Sequence, residues 1–169
     1  AENGIEAELV VTETSATVTM ETLDANHIGS VGIPFAFCNM KIIDPDTGEE
    51  LPYDTSGEIC LSTPGLMQGY YGNPQATDDA IETVNGERWL HTGDIGAMDE
   101  NGFIFFKQRL KRVIISSGYH IYPSYIENVI NSHPDVLTST VIGIDHPYKN
   151  QVAKAFIVLR EGVKANNKL

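Results

Sequence analysis

Apolar and polar residues alternate over short stretches in the first hundred positions of the chain. Residues 37–44 and 57–62 follow the pattern of short strands, and 9–11 is a brief apolar run of the kind found in buried strands. Asp, Pro and Gly at 44–48 supply strong turn chemistry. Only residues 77–82, with acidic side chains near their start, indicate a short helix. The pattern predicts a β-rich subdomain, either barrel-like or a sandwich.

The pattern changes after position 110. Residues 123–131 begin with proline and carry apolar side chains at the spacing of an amphipathic helix. Three apolar stretches around this helix are predicted as strands: 112–116, 136–144 and 151–159. One helix on a small sheet makes an α+β unit. We therefore expect an α+β fold overall, with a β-rich first part.

Charge divides the chain at nearly the same place. Its 169 residues contain 11 Lys and Arg against 23 Asp and Glu, a formal net charge of −12. Positions 1–106 hold two basic and 19 acidic residues, whereas 107–169 hold nine basic and four acidic ones. So acidic a chain is a poor candidate for binding nucleic acid or anionic membranes through bulk charge. The change of sign is a candidate hinge, although one domain with a basic edge would give the same pattern.

The composition also narrows the cellular setting. With 41 % hydrophobic and 20 % charged residues, the chain suits a packed globular protein. No apolar run approaches the roughly 20 residues of a transmembrane helix. Cys38 and Cys60 both lie in apolar sequence surroundings, so we expect reduced thiols and a cytoplasmic protein.

The segment with the clearest candidate chemistry is 89–94, which reads Trp-Leu-His-Thr-Gly-Asp. Glycine lets the backbone approach a ligand, and the Asp94 carboxylate can accept hydrogen bonds from two vicinal hydroxyls, such as those of a ribose. Thr-Gly-Asp alone is a common turn sequence, so this segment needs support from its neighbours.

Other motifs accompany this segment in a fixed order. Residues 12–14 read Thr-Glu-Thr, and 57–59 read Gly-Glu-Ile. Residues 69–71 read Gly-Tyr-Tyr, and 109–123 begin with Arg-Leu-Lys-Arg. In this order and at these spacings, the set closely resembles the later motifs of the adenylate-forming (AMP-binding) superfamily. That superfamily contains acyl-CoA synthetases, amino-acid-activating domains and luciferases, and the resemblance covers nearly the whole chain.

The resemblance implies a nucleotide site. Thr12 would contact the nucleotide phosphate, and Glu13 would help to hold Mg²⁺, for which carboxylates are usual ligands. Asp94 would bind the ribose hydroxyls, and the guanidinium of Arg109 would reach the ribose and nucleotide as well. Phe106 falls where the family places an apolar residue beside the nucleoside, although a core aromatic is an equally good interpretation.

The resemblance also implies a site where the acyl group is transferred to a thiol. Lys111 falls at the hinge about which a small C-terminal domain rotates between an adenylating and a thioester-forming orientation. Ser117 and Gly118 match the loop that lines the pantetheine channel in the second orientation. His120 could face the CoA phosphates or lie at the surface as an ordinary histidine. Glu127 matches a structural glutamate on the following helix.

Three positions depart from the family pattern. Leu9 and Val10 stand where an aromatic residue and glycine are usual before the Thr-Glu pair. Gln108 stands where glycine is usual before Arg109. A β-branched valine in place of glycine restricts the backbone.

The family's phosphate-binding loop and catalytic lysine are not expected within this sequence. The loop precedes the Thr-Glu motif by about a hundred residues, and Lys164 and Lys168 lack the lysine's motif. We therefore interpret the chain as a piece of a longer protein, with 1–108 from the large AMP-binding domain and 109–169 from the small mobile one. Such a piece alone is expected to lack adenylating activity.

The function that the resemblance implies is ATP-dependent activation of a carboxylic acid. ATP, Mg²⁺ and CoA would take part, and the acyl-adenylate would pass its acyl group to CoA. Residues 115–123 look most like those of acyl-CoA synthetases for fatty or other organic acids. A domain that loads a carrier protein, and a non-catalytic binding module of the same fold, remain alternatives. The acid and the oligomeric state are not encoded in these motifs.

Overall fold

A computed structural model describes residues 8–20 and 27–163 of the chain. The chain divides into two compact units, Ala1–Lys107 and Gln108–Leu169. Lys164 and Lys168, which were considered above, lie outside the described residues. Within those residues, no helix is both long and apolar enough to cross a membrane.

The first unit consists mainly of strands. These are β1 Val10–Val11, β2 Ala16–Thr17, β3 Thr19–Met20, β4 Ile33–Pro34, β5 Asn39–Ile43, β6 Gly57–Ser62, β7 Ile81–Val84, β8 Glu87–Met98 and β9 Ile104–Arg109, the last of which runs past the unit boundary. A five-stranded sheet has the order β5-β6-β8-β7, and β9 also pairs with β8. Two-stranded ladders join β1 to β2 and β3 to β4. The predicted β-rich architecture is confirmed.

Strand β6 lies at the centre of the first unit, and all six of its residues are buried. Side chains alternate between the two faces of a strand. Ile59 and Leu61 belong to the apolar clusters of the core. Glu58 and Cys60 therefore occupy the opposite face, where Cys60 is the register partner of His91 on β8.

Among the described residues of the first unit, the single α-helix, α1, spans Pro74–Ala80, so the prediction of a helix over 77–82 was wrong at both ends. Proline at the first helical position needs no hydrogen-bond partner, and Asn73 caps the helix by accepting the Ala76 N–H at 3.1 Å. Ile81 and Glu82 instead begin β7, where they pair with β8. The acidic residues lie in the second half of the helix.

The second unit matches its predicted α+β composition. Its elements are β10 Ile114–Ser116, β11 Tyr119–Ile121, helix α2 Pro123–Asn131, β12 Val136–His146 and β13 Asn150–Leu159. They form a four-stranded sheet in the order β11-β10-β13-β12. A strand over 112–116 was predicted, but Leu110–Arg112 is a 3-10 turn and the strand starts at Ile114.

The half-buried carboxylate of Glu127 connects helix α2 to its sheet. Glu127 accepts a hydrogen bond from the Val141 N–H on β12 at 2.8 Å and pairs with Arg112. This geometry accounts for the structural role expected of Glu127.

Candidate functional site

Asp94 lies in an irregularity of the β6–β8 ladder. Glu58 pairs with Ile95 and Cys60 pairs with His91, so three residues of β8 stand opposite Ile59 alone. These three are Thr92, Gly93 and Asp94. Gly93 adopts a left-handed φ of 68°, which glycine tolerates without strain. Residues 92–94, hereafter the β8 bulge, therefore form part of a long strand and not an isolated turn.

The β8 bulge lacks regular ladder hydrogen bonds, and hydrogen bonds from side chains hold it instead. Thr92 Oγ1 donates to the Ile59 carbonyl at 2.7 Å and accepts the Asp94 N–H at 3.1 Å. The Gly93 N–H donates to Glu58 Oε1 at 2.9 Å. Asp94, only 4 % exposed, is therefore a buried carboxylate on a braced segment of backbone.

Glu58, on β6, also contacts the imidazole of His91 on β8. Its Oε2 lies 3.0 Å from His91 Nδ1, and the Cys60 Sγ lies 3.6 Å from the same nitrogen. Hydrogen bonds to Cys60 and to Glu58 raise the pKa of His91 to about 10, while burial raises the pKa of the Cys60 thiol. The surroundings of Cys60 are therefore not wholly apolar, contrary to expectation, although both cysteines are free thiols as predicted.

The Glu58, Cys60 and His91 side chains are of the types that bind metals, and their ligand atoms lie within 4.8 Å of one another. In this structure, however, those atoms already contact one another and the β8 bulge. The cluster is thus explained by hydrogen bonding within the protein.

Protonated His91 should stabilise the first unit in a pH-dependent way. Its raised pKa means that the stabilisation is fully present below about pH 6.5, the ordinary value, and is lost as the pH rises through about 10. Glu58, Cys60 and Glu82 are the titratable groups around it. We expect the free energy of unfolding to fall more steeply between these limits in wild type than in His91→Gln.

Urea titrations followed by Trp89 fluorescence test this expectation, since Trp89 is the single tryptophan and is two residues from His91. A His133→Gln variant, changed in the second unit, is the matched control and should follow wild type. Identical pH dependence in wild type and His91→Gln would contradict the assignment.

Thr12 and Glu13 lie on a 3-10 turn, Thr12–Thr14, directly after β1. The turn is closed by the Ser15 N–H donating to the Thr12 carbonyl at 3.1 Å, and Ser15 has a left-handed φ of 68°. Tyr70 donates its hydroxyl to Glu13 Oε1 at 2.9 Å. Partial burial and this hydrogen bond raise the pKa of Tyr70. The hydrogen bond from Tyr70 therefore orients one carboxylate oxygen of Glu13 on this turn.

Phe106 and Arg109 both lie on β9, which pairs with β8. Phe106 is 42 % exposed, so it is not a fully buried core aromatic. Arg109 ends the strand and is exposed. Lys111 is exposed in the middle of the following 3-10 turn, three residues after the second unit begins.

Ser117 and Gly118 form the tight connection between β10 and β11. Both adopt left-handed backbone angles, with φ of 52° and 81°, and the Ser117 N–H donates to the Lys149 carbonyl at 2.8 Å. His120 lies on β11 opposite Ile115 and is half-buried. The connection is thus an exposed hairpin turn with a histidine two residues beyond Gly118.

Two of the departures from the family pattern fit their local structure. Val10 lies in β1, where it pairs with Thr17, and a β-branched residue suits a strand. Gln108 is buried and accepts hydrogen bonds from the Ser124 N–H and hydroxyl at 3.3 and 3.1 Å. The glutamine thereby anchors the start of α2.

Sequence reasoning missed the residues that support the predicted ones. Glu58, His91 and Tyr70 all fell within the quoted motifs, yet none received a role. Each acts on a residue 33 or more positions away along the chain. The functional roles of the predicted site residues stay predictions.

Comparison with known proteins identifies the family. The sequence model of the family described as AMP-binding enzyme matches residues 10–71. The family model described as AMP-binding enzyme C-terminal domain matches residues 125–169. Together with the fold, these matches define the class as that of the AMP-binding enzymes. The chain belongs to the AMP-binding enzyme family.

Individual relatives extend this result. A Bacillus subtilis protein named as an acyl-CoA ligase is 46 % identical over 79 % of the chain, and a long-chain-fatty-acid–CoA ligase of Escherichia coli is 38 % identical over 89 %. The chain spans 26 % of the length of each. The ATP-bound crystal structure of MatB from Rhodopseudomonas palustris superposes with a TM-score of 0.82 at 31 % identity, over 92 % of this chain and 30 % of that one.

Proposed function

We propose that this chain is part of an ATP-dependent carboxylic acid–CoA ligase. Such an enzyme joins the acid to AMP with release of pyrophosphate and then transfers the acyl group to CoA. The observation that carries the proposal is the buried Asp94 carboxylate on the braced β8 bulge. Relatives named as acyl-CoA ligases support this reaction over the loading of a carrier protein or a non-catalytic role.

On this proposal, the first unit supplies much of the nucleotide site. Asp94 accepts hydrogen bonds from the two ribose hydroxyls, an acceptor-rich group facing two donors. Thr12 donates its hydroxyl to a phosphate oxygen. Phe106, being partly exposed, offers an apolar surface to the nucleoside. Arg109, which belongs to the second unit, is proposed to bind clustered ribose and phosphate oxygens through its planar guanidinium.

Glu13 is the proposed Mg²⁺ ligand. A carboxylate is a hard oxygen donor of the kind Mg²⁺ prefers, and the hydrogen bond from Tyr70 orients it. When bound, the ion neutralises phosphate charge and so favours displacement at the α-phosphorus.

The second unit would serve thioester formation. The exposed turn at Ser117 and Gly118 is proposed to contact the pantetheine arm, and half-buried His120 is proposed to face a CoA phosphate. Lys111 is the proposed hinge residue. We further infer a cytoplasmic location, because both cysteines are free thiols.

Pyrophosphate release tests the proposal directly. The full-length protein containing this chain is incubated with ATP, Mg²⁺ and a panel of carboxylic acids, first without and then with CoA. We expect acid-dependent pyrophosphate release in both conditions and a CoA thioester in the second. Chelation of Mg²⁺ should abolish both. Absence of pyrophosphate with every acid would refute the proposal, and a thioester formed only on an added carrier protein would favour the alternative acceptor.

A further inference from the structure

Glu58 is a buried acidic residue to which the proposed reaction gives no task. It is 6 % exposed on the central strand β6, in a unit whose acidic residues are otherwise mostly at the surface. A carboxylate is costly to bury unless hydrogen bonds compensate for lost hydration. Its partners therefore show what the fold uses it for.

Both partners of Glu58 lie on β8, at either side of Thr92. Oε2 contacts His91 Nδ1 at 3.0 Å, and Oε1 accepts the Gly93 N–H at 2.9 Å. One carboxylate thus joins the last regularly paired residue before the β8 bulge to the bulge backbone itself. Asp94 follows immediately.

The β8 bulge depends on such support because it lacks regular ladder pairing. Gly93 has a left-handed φ, a conformation that glycine also leaves readily. Thr92 fixes the Asp94 N–H from one side, and Glu58 fixes the Gly93 N–H from the other. Loss of the second contact would release the peptide group between Thr92 and Gly93, which adjoins the peptide group before Asp94, and so loosen the backbone that carries Asp94.

We propose that Glu58 is a positioning residue for Asp94, clamping the β8 bulge so that the Asp94 carboxylate meets the ribose hydroxyls of ATP. This inference rests on the proposed function. On this proposal, Glu58 acts through its contact with the β8 bulge backbone and not by binding the substrate itself.

The chain contains a matched control for this proposal. Glu82 on β7 also approaches His91, with 3.7 Å between Glu82 Oε2 and His91 Nε2. Its side chain is 57 % exposed, and among the described residues it makes no hydrogen bond to Gly93. Glu82→Gln removes a negative charge near the same imidazole without touching the bulge.

The test compares ATP with 2′,3′-dideoxy-ATP in the full-length ligase. If Asp94 binds the ribose hydroxyls, wild type should prefer ATP in kcat/KM by about a hundredfold. Glu58→Ala should lower kcat/KM for ATP by about tenfold to a hundredfold while changing that for the dideoxy analogue by less than about threefold. Its preference for ATP should therefore shrink, and KM for CoA should stay unchanged.

Two further variants keep the outcome interpretable. Glu58→Gln keeps an acceptor for the Gly93 N–H and should recover most of the preference for ATP. Glu82→Gln should resemble wild type in both substrates. If Glu58→Ala does not fold, Glu58→Asp, whose shorter side chain cannot span both partners, should show the reduced preference instead.

The possible failures are separable. Equal losses with ATP and with the dideoxy analogue in the Glu58 variants would overturn the positioning role and leave the proposed function standing. A wild type that uses both nucleotides equally would overturn the ribose assignment of Asp94 and this inference with it. A wild type that releases no pyrophosphate with any acid would refute the proposed function itself.

Discussion

Asp94→Ala in the full-length protein should lower kcat/KM for ATP by about a hundredfold or more. On the proposed function, the variant loses two charge-assisted hydrogen bonds to the ribose, each worth roughly 1.5–3 kcal/mol, and about 1.4 kcal/mol corresponds to a tenfold change. Asp94 is buried on a braced bulge, so no neighbouring flexible side chain replaces it easily. Pyrophosphate release at varied ATP concentration measures the effect. We expect kcat/KM for ATP to fall and KM for the acid to change little.

Two controls separate recognition from folding. Asp94→Asn keeps the shape and one acceptor oxygen, so its loss should be smaller than that of the alanine variant. Asp78→Ala changes an exposed aspartate on α1 and should leave kcat/KM near wild type. A loss of less than about threefold in Asp94→Ala, small against the hydrogen-bond energies above, would mean that Asp94 serves the bulge and not the nucleotide.

Elements whose signal is local were predictable from the sequence. Helix α2 begins and ends at the predicted residues, 123 and 131, because an initial proline and a regular apolar spacing both favour it. Strand β6 likewise occupies the predicted 57–62. Helix α1 begins three residues before the predicted position 77, because proline is favoured at the first helical position.

Elements that depend on pairing between distant segments were not predictable in the same way. Residues 89–94 contain a turn-like Thr-Gly-Asp sequence, yet they belong to a strand of 12 residues. The strand forms because β6 and β7 pair with it on either side, and those partners decide the conformation more than local preference does. The β8 bulge accommodates the Gly and Asp within that pairing.

The candidate site divides along the same line. Asp94 and Glu13 carry reactive groups that motifs can mark. Their supports, Glu58 and Tyr70, are 35 and 57 residues away from the groups they bind in the chain. Nothing in the spacing of a single sequence specifies such contacts, because they arise from sheet register and from the packing of loops. The structure is therefore needed to distinguish a carboxylate proposed to bind ligand from one proposed to position it.

Lys111→Pro in the full-length ligase should separate the two half-reactions. We expect acyl-adenylate formation to survive largely intact and CoA thioester formation to fall by about tenfold or more. Lys111 lies in the middle of a 3-10 turn just after the boundary between the two units. The turn is closed by the Val113 N–H donating to the Leu110 carbonyl, so a proline at 111 leaves that bond in place.

Proline would instead restrict rotation at this position. It holds its own φ at about −65° and disfavours helical angles at the preceding Leu110. A hinge concentrates large backbone changes in a few residues, so fixing one of them should block the orientation needed for the second half-reaction. Rapid-quench measurement of the acyl-adenylate and of the thioester in one reaction follows both steps.

Lys111→Ala is the matched control, since it removes the ammonium group but leaves the backbone free to rotate. It should form the thioester at a rate much closer to wild type than the proline variant does. If both half-reactions fall together in Lys111→Pro, the substitution has damaged folding, which thermal unfolding would reveal independently. If the proline variant forms the thioester at the wild-type rate, the second half-reaction needs no change in φ at residue 111, which contradicts the proposed hinge.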